Sequence, residues 1–238
     1  MVCAAFAVRS NRRAFSLLEI LVAIAVIAIL AALSFNALSR AREVADRTTC
    51  LNNLRQWGGA LSLYMQDNDG QIPRRGQGVR PVEIIDRPDD WFNCLPPYLG
   101  LSSYQQMVAQ GRAPKAGEKS IFVCPTAKDL GKPHFLAYGM NMYLSPWIRP
   151  NMHRISEILH PSQLAFLADG PGGWSSTIPS NQDYSVSARH GPCANVVFLD
   201  GHVQSLDGNS IGCGQGNATL PDIRWETQTD GINQAHMP

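Results

Sequence analysis

The segment Arg12-Arg13-Ala14-Phe15-Ser16-Leu17-Leu18-Glu19, followed at residues 20–33 by ILVAIAVIAILAAL, decides how the rest of the chain is read. No charged residue occurs from Ile20 to Ser39, and twenty residues at a rise of about 1.5 Å span about 30 Å, the thickness of a bilayer's hydrocarbon core. Eleven Leu, Ile or Val side chains between Leu17 and Leu33 favour insertion by about 3 to 7 kcal/mol. Glu19 opposes it by at most ~3 kcal/mol, and by less near the helix end where it stands, so insertion wins. Arg9, Arg12 and Arg13 precede the run, and no acid occurs before Glu19. By the positive-inside rule the N-terminus stays in the cytoplasm and the remainder is exported.

The averages of the 238-residue chain conceal this segment. The sequence is 45% hydrophobic and 16% charged, with 20 Lys+Arg against 19 Asp+Glu. That balance excludes a disordered polyelectrolyte, and it lacks the basic excess expected of a nucleic-acid binder. Removing residues 1–14 takes three arginines away and leaves 17 bases against 19 acids, so the exported part is mildly acidic.

Glu19 is the anomaly of the apolar segment. A carboxylate there either snorkels to the interface or meets a cation. A cut between Ala14 and Phe15 would create an α-amine four residues before Glu19, on the same helical face. Within one chain that pairing is geometrically poor, because the amine sits at the helix end; between neighbouring helices shifted along a filament axis it is good.

Residues 12–21 and the apolar run after them resemble the N-terminal signal of type IV prepilins and type II secretion pseudopilins. The resemblance implies that prepilin peptidase cuts after Ala14, which stands where glycine is usual. It implies that Phe15 becomes the N-methylated residue and that Glu19 is the acidic residue used in filament assembly. The protein so implied is a structural, non-enzymatic subunit of a secretion pseudopilus or type IV pilus-like filament. It would be single-pass in the bacterial inner membrane, with a periplasmic head. Its partners would be prepilin peptidase, other pilin or pseudopilin subunits, the inner-membrane assembly platform and membrane lipid, with no cofactor and no nucleic acid. The competing reading is an ordinary secretory signal cut after the apolar run at a small-x-small site such as Ala37-Leu38-Ser39. That reading leaves Glu19 without a purpose and needs an apolar core longer than the usual ~7 to 15 residues.

Beyond the apolar run, Val44, Leu51, Leu54, Leu61 and Met65 return to one helical face, which predicts a single helix over 15–66 with 15–39 in the membrane. Gly58-Gly59 weakens it by about 1 kcal/mol per glycine, and Asp67-Asn68-Asp69-Gly70 ends it. That acidic loop faintly resembles the start of a calcium loop, but Gly78 occupies the place of the bidentate glutamate, so a helix stop is the better reading. The head then runs over 67–238. It is turn-rich from Pro73 to Pro133, apart from a helical stretch at 102–110. Strands are expected at 135–143, 163–168 and 195–199. Asp200-Gly201 forms a two-residue type I′ hairpin turn into 202–206, and 207–238 reads as loops. The expected fold class is α+β and pilin-like, with an antiparallel sheet packed on the helix's second half.

The head also resembles a large bacterial group of pilin-signal proteins in which a His is followed after nine residues by Asp-Gly, here His190 and Asp200-Gly201. Asp67-Asn68-Asp69-Gly70-Gln71-Ile72-Pro73, Val123-Cys124-Pro125, Ala137-Tyr138-Gly139-Met140-Asn141 and Phe166-Leu167-Ala168-Asp169-Gly170 fit the same pattern. Asp169, His190, Asp200 and His202 are the residues whose types suit a metal or an active site. The plainer alternative is structural, with Asp200-Gly201 making the turn and the histidines bonding to loop backbone; it is favoured over a bound divalent metal. A second function class, a membrane-tethered or secreted enzyme or metal-binding domain, would use His190, Asp200 and His202, but no nucleophile-and-base signature accompanies them. With Cys3 lost in a leader, five cysteines remain and none forms a C-x-x-C pair. Cys94 with Cys124, and Cys193 with Cys213, are the expected disulfides.

Overall fold

The computed structural model describes residues 16–76, 87–127, 135–144, 154–173, 176–177, 185–208, 210–211, 213 and 223–225. Ala14, Phe15, the leader, Gly78 and most of the expected tail lie outside them. The chain divides into two compact units, Met1–Val44 and Ala45–Pro238.

Helix α1 runs from Leu17 to Asp67, 51 residues, as the apolar run and the stripe after it predict. In the first unit its side chains are exposed, including Leu17, Leu21, Ile24, Ile27, Leu30 and Leu33. Its hydroxyls are satisfied within the helix, since Ser34 Oγ donates to the Leu30 carbonyl at 2.7 Å and Ser39 Oγ to that of Phe35 at 3.1 Å. Such back-bonding leaves no bare hydroxyl on an apolar helix.

In the second unit the helix buries a stripe, but a rotated one. Cys50, Leu54, Trp57, Leu61 and Tyr64 face the core, whereas Val44 is exposed and Leu51 and Met65 are only half-buried. Trp57 and Tyr64 displace the aliphatic residues because each aromatic ring removes more apolar area from water than any aliphatic side chain. Against this stripe packs α2 (Trp91–Cys94), and against α2 packs α3 (Tyr104–Ala109), held by a Ser103–Gln106 capping box. The turn-rich region has no periodicity to reveal it. It is organised by rings: Trp57 meets Trp91 edge-on at 5.3 Å and Phe122 at 5.1 Å, and Phe122 meets Tyr104 at 5.1 Å.

A five-stranded sheet completes the α+β head, comprising β1 (Tyr138–Asn141), β2 (Ala165–Asp169), β3 (Ser176–Thr177), β4 (Cys193–Phe198) and β5 (Val203–Asp207). The order is β3-β1-β2-β4-β5. β1, β2, β4 and β5 are antiparallel as expected; the two-residue β3 adds a parallel edge on β1. Strands β1, β2 and β4 are buried on both faces, whereas β5 is half-buried to exposed. Leu167 and Val197 belong to the helix-side core, and Ala168, Val196 and Phe198 pack with Ile211, Ile223 and Trp225 on the other side.

The β4–β5 turn differs from the expected type I′ form. The Gly201 amide donates to the Phe198 carbonyl and the Phe198 amide to that of His202, both at 2.9 Å, so the loop is Leu199-Asp200-Gly201. Asp69 is the only non-glycine at positive φ among the described residues, so Gly201, at φ 87°, alone takes the left-handed conformation. This is a type I turn closed by a glycine bulge, which spares Asp200 the steric strain that a type I′ turn would impose.

Candidate functional site

Two places in the chain gather the residues singled out by sequence. The first is the start of α1. Glu19 Oε2 accepts a hydrogen bond from the Ser16 amide at 2.9 Å, and Ser16 Oγ accepts one from the Leu18 amide at 3.3 Å. Ser16 and Glu19 thus cap the helix in a variant of the capping box, in which the serine hydroxyl takes the amide of Leu18 rather than that of Glu19, and together they satisfy two of the four amides that a helix start leaves unbonded. The Ser-x-x-Glu spacing ahead of an apolar run is the sequence signal for it. The negative carboxylate also complements the positive end of the helix dipole. Behind this cap, an 18-residue window of α1 has a mean hydropathy of 2.8 and none of it is buried within the protein. A surface of that size and polarity requires lipid or like helices to cover it.

Residues 9–35 match the family model of the prokaryotic N-terminal methylation motif. The chain carries a prepilin-type N-terminus. Neither a curated protein nor a solved structure matches the chain. The prepilin-type segment therefore rests on the motif and on a helix whose length and apolarity fit a single-pass membrane anchor.

The second place lies within the head. Asp169 ends β2, and His190 sits just before β4, joined to Cys193 by an isolated bridge. His190 Nε2 stands 3.6 Å from Asp169 Oδ2 and 3.4 Å from Cys124 Sγ. Asp169 Oδ2 also accepts the Asn195 amide at 2.8 Å, while Asp169 Oδ1 and His190 Nδ1 have no hydrogen-bond partner among the described residues. Both side chains are fully buried. Burial pushes the Asp169 carboxyl up to about 6, opposed by the Arg189 guanidinium and the Asn195 bonds. Burial, followed by Arg189 and Arg47, pushes His190 down to about 4. The pair at neutral pH is therefore a carboxylate beside a neutral imidazole, not an ion pair.

Asp200 and His202 do not join them. They occupy the far end of β4, six residues or roughly 20 Å away along the strand. There His202 Nδ1 meets Asp200 Oδ1 at 2.6 Å in solvent, and the imidazole stacks on Phe198 at 4.3 Å. The shared four-residue site is thus overturned, because β4 holds the two histidines at its opposite ends.

The disulfides also differ. Cys124 bonds Cys50, with Cα atoms 5.3 Å apart, and Cys94, Cys193 and Cys213 are free thiols. Asn53 and Trp57 cause this pairing. From the face of α1 that carries Cys50, Asn53 Nδ2 donates to the Val123 carbonyl at 3.0 Å and Trp57 Nε1 to that of Ile121 at 3.1 Å, which lays the 120–124 loop against the helix. Cys94 instead donates to the Asp89 carbonyl at 3.6 Å, and burial raises its thiol pKa. Cys213 lies beside Gly208, to which its amide donates at 2.8 Å, and burial pushes its thiol up to about 12.

Chemically, the cluster is a closed one. The single nitrogen Nε2 faces both the sulfur and the carboxylate, whereas a base held for catalysis presents opposite nitrogens to nucleophile and orienter. With Cys50, Cys124 and Asp169 at 0% exposure and His190 at 2%, no substrate reaches it. What it does offer is ligand atoms: those of Cys50, Cys124 and His190 all lie within 4.8 Å of one another.

Proposed function

We propose that this protein is a structural subunit of a pseudopilus or type IV pilus-like filament. In this reading prepilin peptidase removes residues 1–14 and Phe15 becomes the N-methylated terminus. The helix from Phe15 to Ser39 anchors the subunit in the inner membrane with its head in the periplasm, and then packs among like helices. The observation that carries the reading is the methylation motif placed on a helix long and apolar enough to cross a membrane, whose most apolar 18-residue window is not buried. Glu19 stands one turn inside that helix, where the N-terminal amine of an axially shifted neighbour would replace the Ser16 amide as its partner. An amine in a lipid-like surrounding is a far stronger partner for a carboxylate than a backbone amide.

Mass spectrometry of the mature chain in a host containing prepilin peptidase tests this. N-methylated Phe15 is the expected terminus; a mature chain beginning at Arg40 would replace the filament reading with ordinary secretion.

A further inference from the structure

The Cys50–Cys124–His190 cluster has no place in filament packing, yet it is the most completely buried group of reactive side chains among the described residues. We propose that, when Cys50 and Cys124 are reduced, their thiolates and His190 bind one zinc-class divalent ion beside Asp169, so that metal and disulfide are alternative staples between α1 and the 120–124 loop.

The geometry carries this. In a tetrahedral site with metal–sulfur bonds of about 2.3 Å and metal–nitrogen or metal–oxygen bonds of about 2.0 Å, neighbouring ligand atoms stand roughly 3.8 Å (sulfur–sulfur), 3.5 Å (sulfur–nitrogen) and 3.3 Å (nitrogen–oxygen) apart. The His190 Nε2 edges, 3.4 Å to Cys124 Sγ and 3.6 Å to Asp169 Oδ2, are close to those sizes. The edge between the two sulfurs opens when their covalent bond is reduced, while the Asp169 carboxylate, outside the group whose ligand atoms lie within 4.8 Å of one another, would have to close on the ion or leave that position to water. Two thiolates with one imidazole and one carboxylate at hand form a ligand set of the kind zinc takes. Two thiolates and the Asp169 carboxylate offset a divalent ion and Arg189, the cation that acts on both Asp169 and His190, and leave one positive charge on the half-buried Arg47, which acts on His190. Near-neutrality is what a fully buried site requires.

Binding moves no electrons, since two thiols release two protons and take the ion. Conversion to the disulfide passes two electrons from the thiolates to the disulfide of a thiol–disulfide oxidoreductase, which takes two protons from water and is reduced to its dithiol, while the Cys50–Cys124 bond forms and the ion leaves. The helix and the loop would remain tied in both states.

The test uses the full chain in detergent with Cys3, Cys94, Cys193 and Cys213 changed to serine. The chain is reduced and titrated with cobalt(II) under argon. One equivalent of cobalt should give a thiolate-to-cobalt charge-transfer band and tetrahedral visible absorption, both removed by zinc(II). The oxidised chain should give neither. His190→Ala should weaken binding at least tenfold, His202→Ala should not change it, and His190→Cys should intensify the charge-transfer band through a third thiolate. Absence of a stoichiometric band in the reduced chain would overturn the proposal. So would a band that neither His190→Ala weakens nor His190→Cys strengthens, including one from a chain that unfolds on reduction.

Discussion

A methyl group on Gly58 of α1 would stand 2.6 Å from the carbonyl oxygen of Gly201 and 3.0 Å from Val197 Cγ2, so the helix and the β4–β5 turn meet backbone to backbone. Gly201 faces the same contact from the other side, with its own Cβ position 3.4 Å from the Gly58 carbonyl oxygen. Read from sequence alone, Gly58-Gly59 appears only as a weak spot in a helix. In the fold, one of the two glycines is the reason the hairpin can approach.

The two glycines should therefore respond in opposite directions. Gly58→Ala gains about 1 kcal/mol of helix propensity but forces backbone apart, for a net loss of about 1 to 2 kcal/mol. Gly59 has nothing within 4 Å of its Cβ position, so Gly59→Ala should stabilise by about 1 kcal/mol. Urea unfolding of the detergent-solubilised chain, followed by Trp fluorescence, measures both; equal shifts would refute the close contact.

Reduction and peptide mapping test the staple. Non-reducing digests should yield a Cys50–Cys124 peptide and no Cys193–Cys213 peptide. Closing a loop of sequence separation 74 contributes about 4 kcal/mol in the chain-entropy model, so Cys50→Ser should lower stability by roughly that much.

Acid should act on Asp169 and His190 with opposite sign. Between the ordinary carboxyl value of 3.8 and about 6, folded Asp169 holds a proton that the unfolded chain releases, so its contribution to stability falls as pH rises. Between about 4 and 6.5, unfolded His190 holds a proton that the folded chain lacks, so its contribution falls as pH drops. Each amounts to about 3 kcal/mol, and across pH 4 to 6 they nearly cancel. Asp169→Asn should expose the histidine effect, with stability falling as pH falls from 6.5 to 4. His190→Gln should expose the carboxyl effect, with stability rising as pH falls from 6 to 4. Denaturant midpoints of the disulfide-bonded chain across pH 4 to 7 show whether the signs are right.

Glu19→Ala separates anchoring from assembly. Removing the carboxylate eases insertion and loosens the cap by about 1 kcal/mol, so the membrane-bound amount should stay the same or rise. Filament yield, scored by shearing and immunoblot, should fall at least tenfold. His202→Ala, on the exposed turn, should leave both unchanged.

The amino-acid sequence determined the elements whose physics is local. The apolar run from Ile20, the helix through Asp67 and the antiparallel strands around Tyr138, Ala165, Cys193 and Val203 follow from periodicity, length and turn residues within short windows, and the methylation motif is local too, carried by the resemblance of residues 12–21 and the apolar run to the prepilin signal. The cap made by Ser16 and Glu19 is equally local, signalled by the Ser-x-x-Glu spacing. Tertiary structure decided the rest, because it depends on which distant surfaces meet. Trp57 and Tyr64 rotated the buried stripe by outweighing aliphatic neighbours. Asn53 and Trp57 laid the 120–124 loop on α1 and so gave Cys124 to Cys50 rather than to Cys94. Strand β4 split the four acid and histidine candidates into a buried pair and an exposed one. None of these outcomes is carried by spacing, since each is a choice among partners far apart in the chain, made by side-chain volume and by the need to bond every buried polar group.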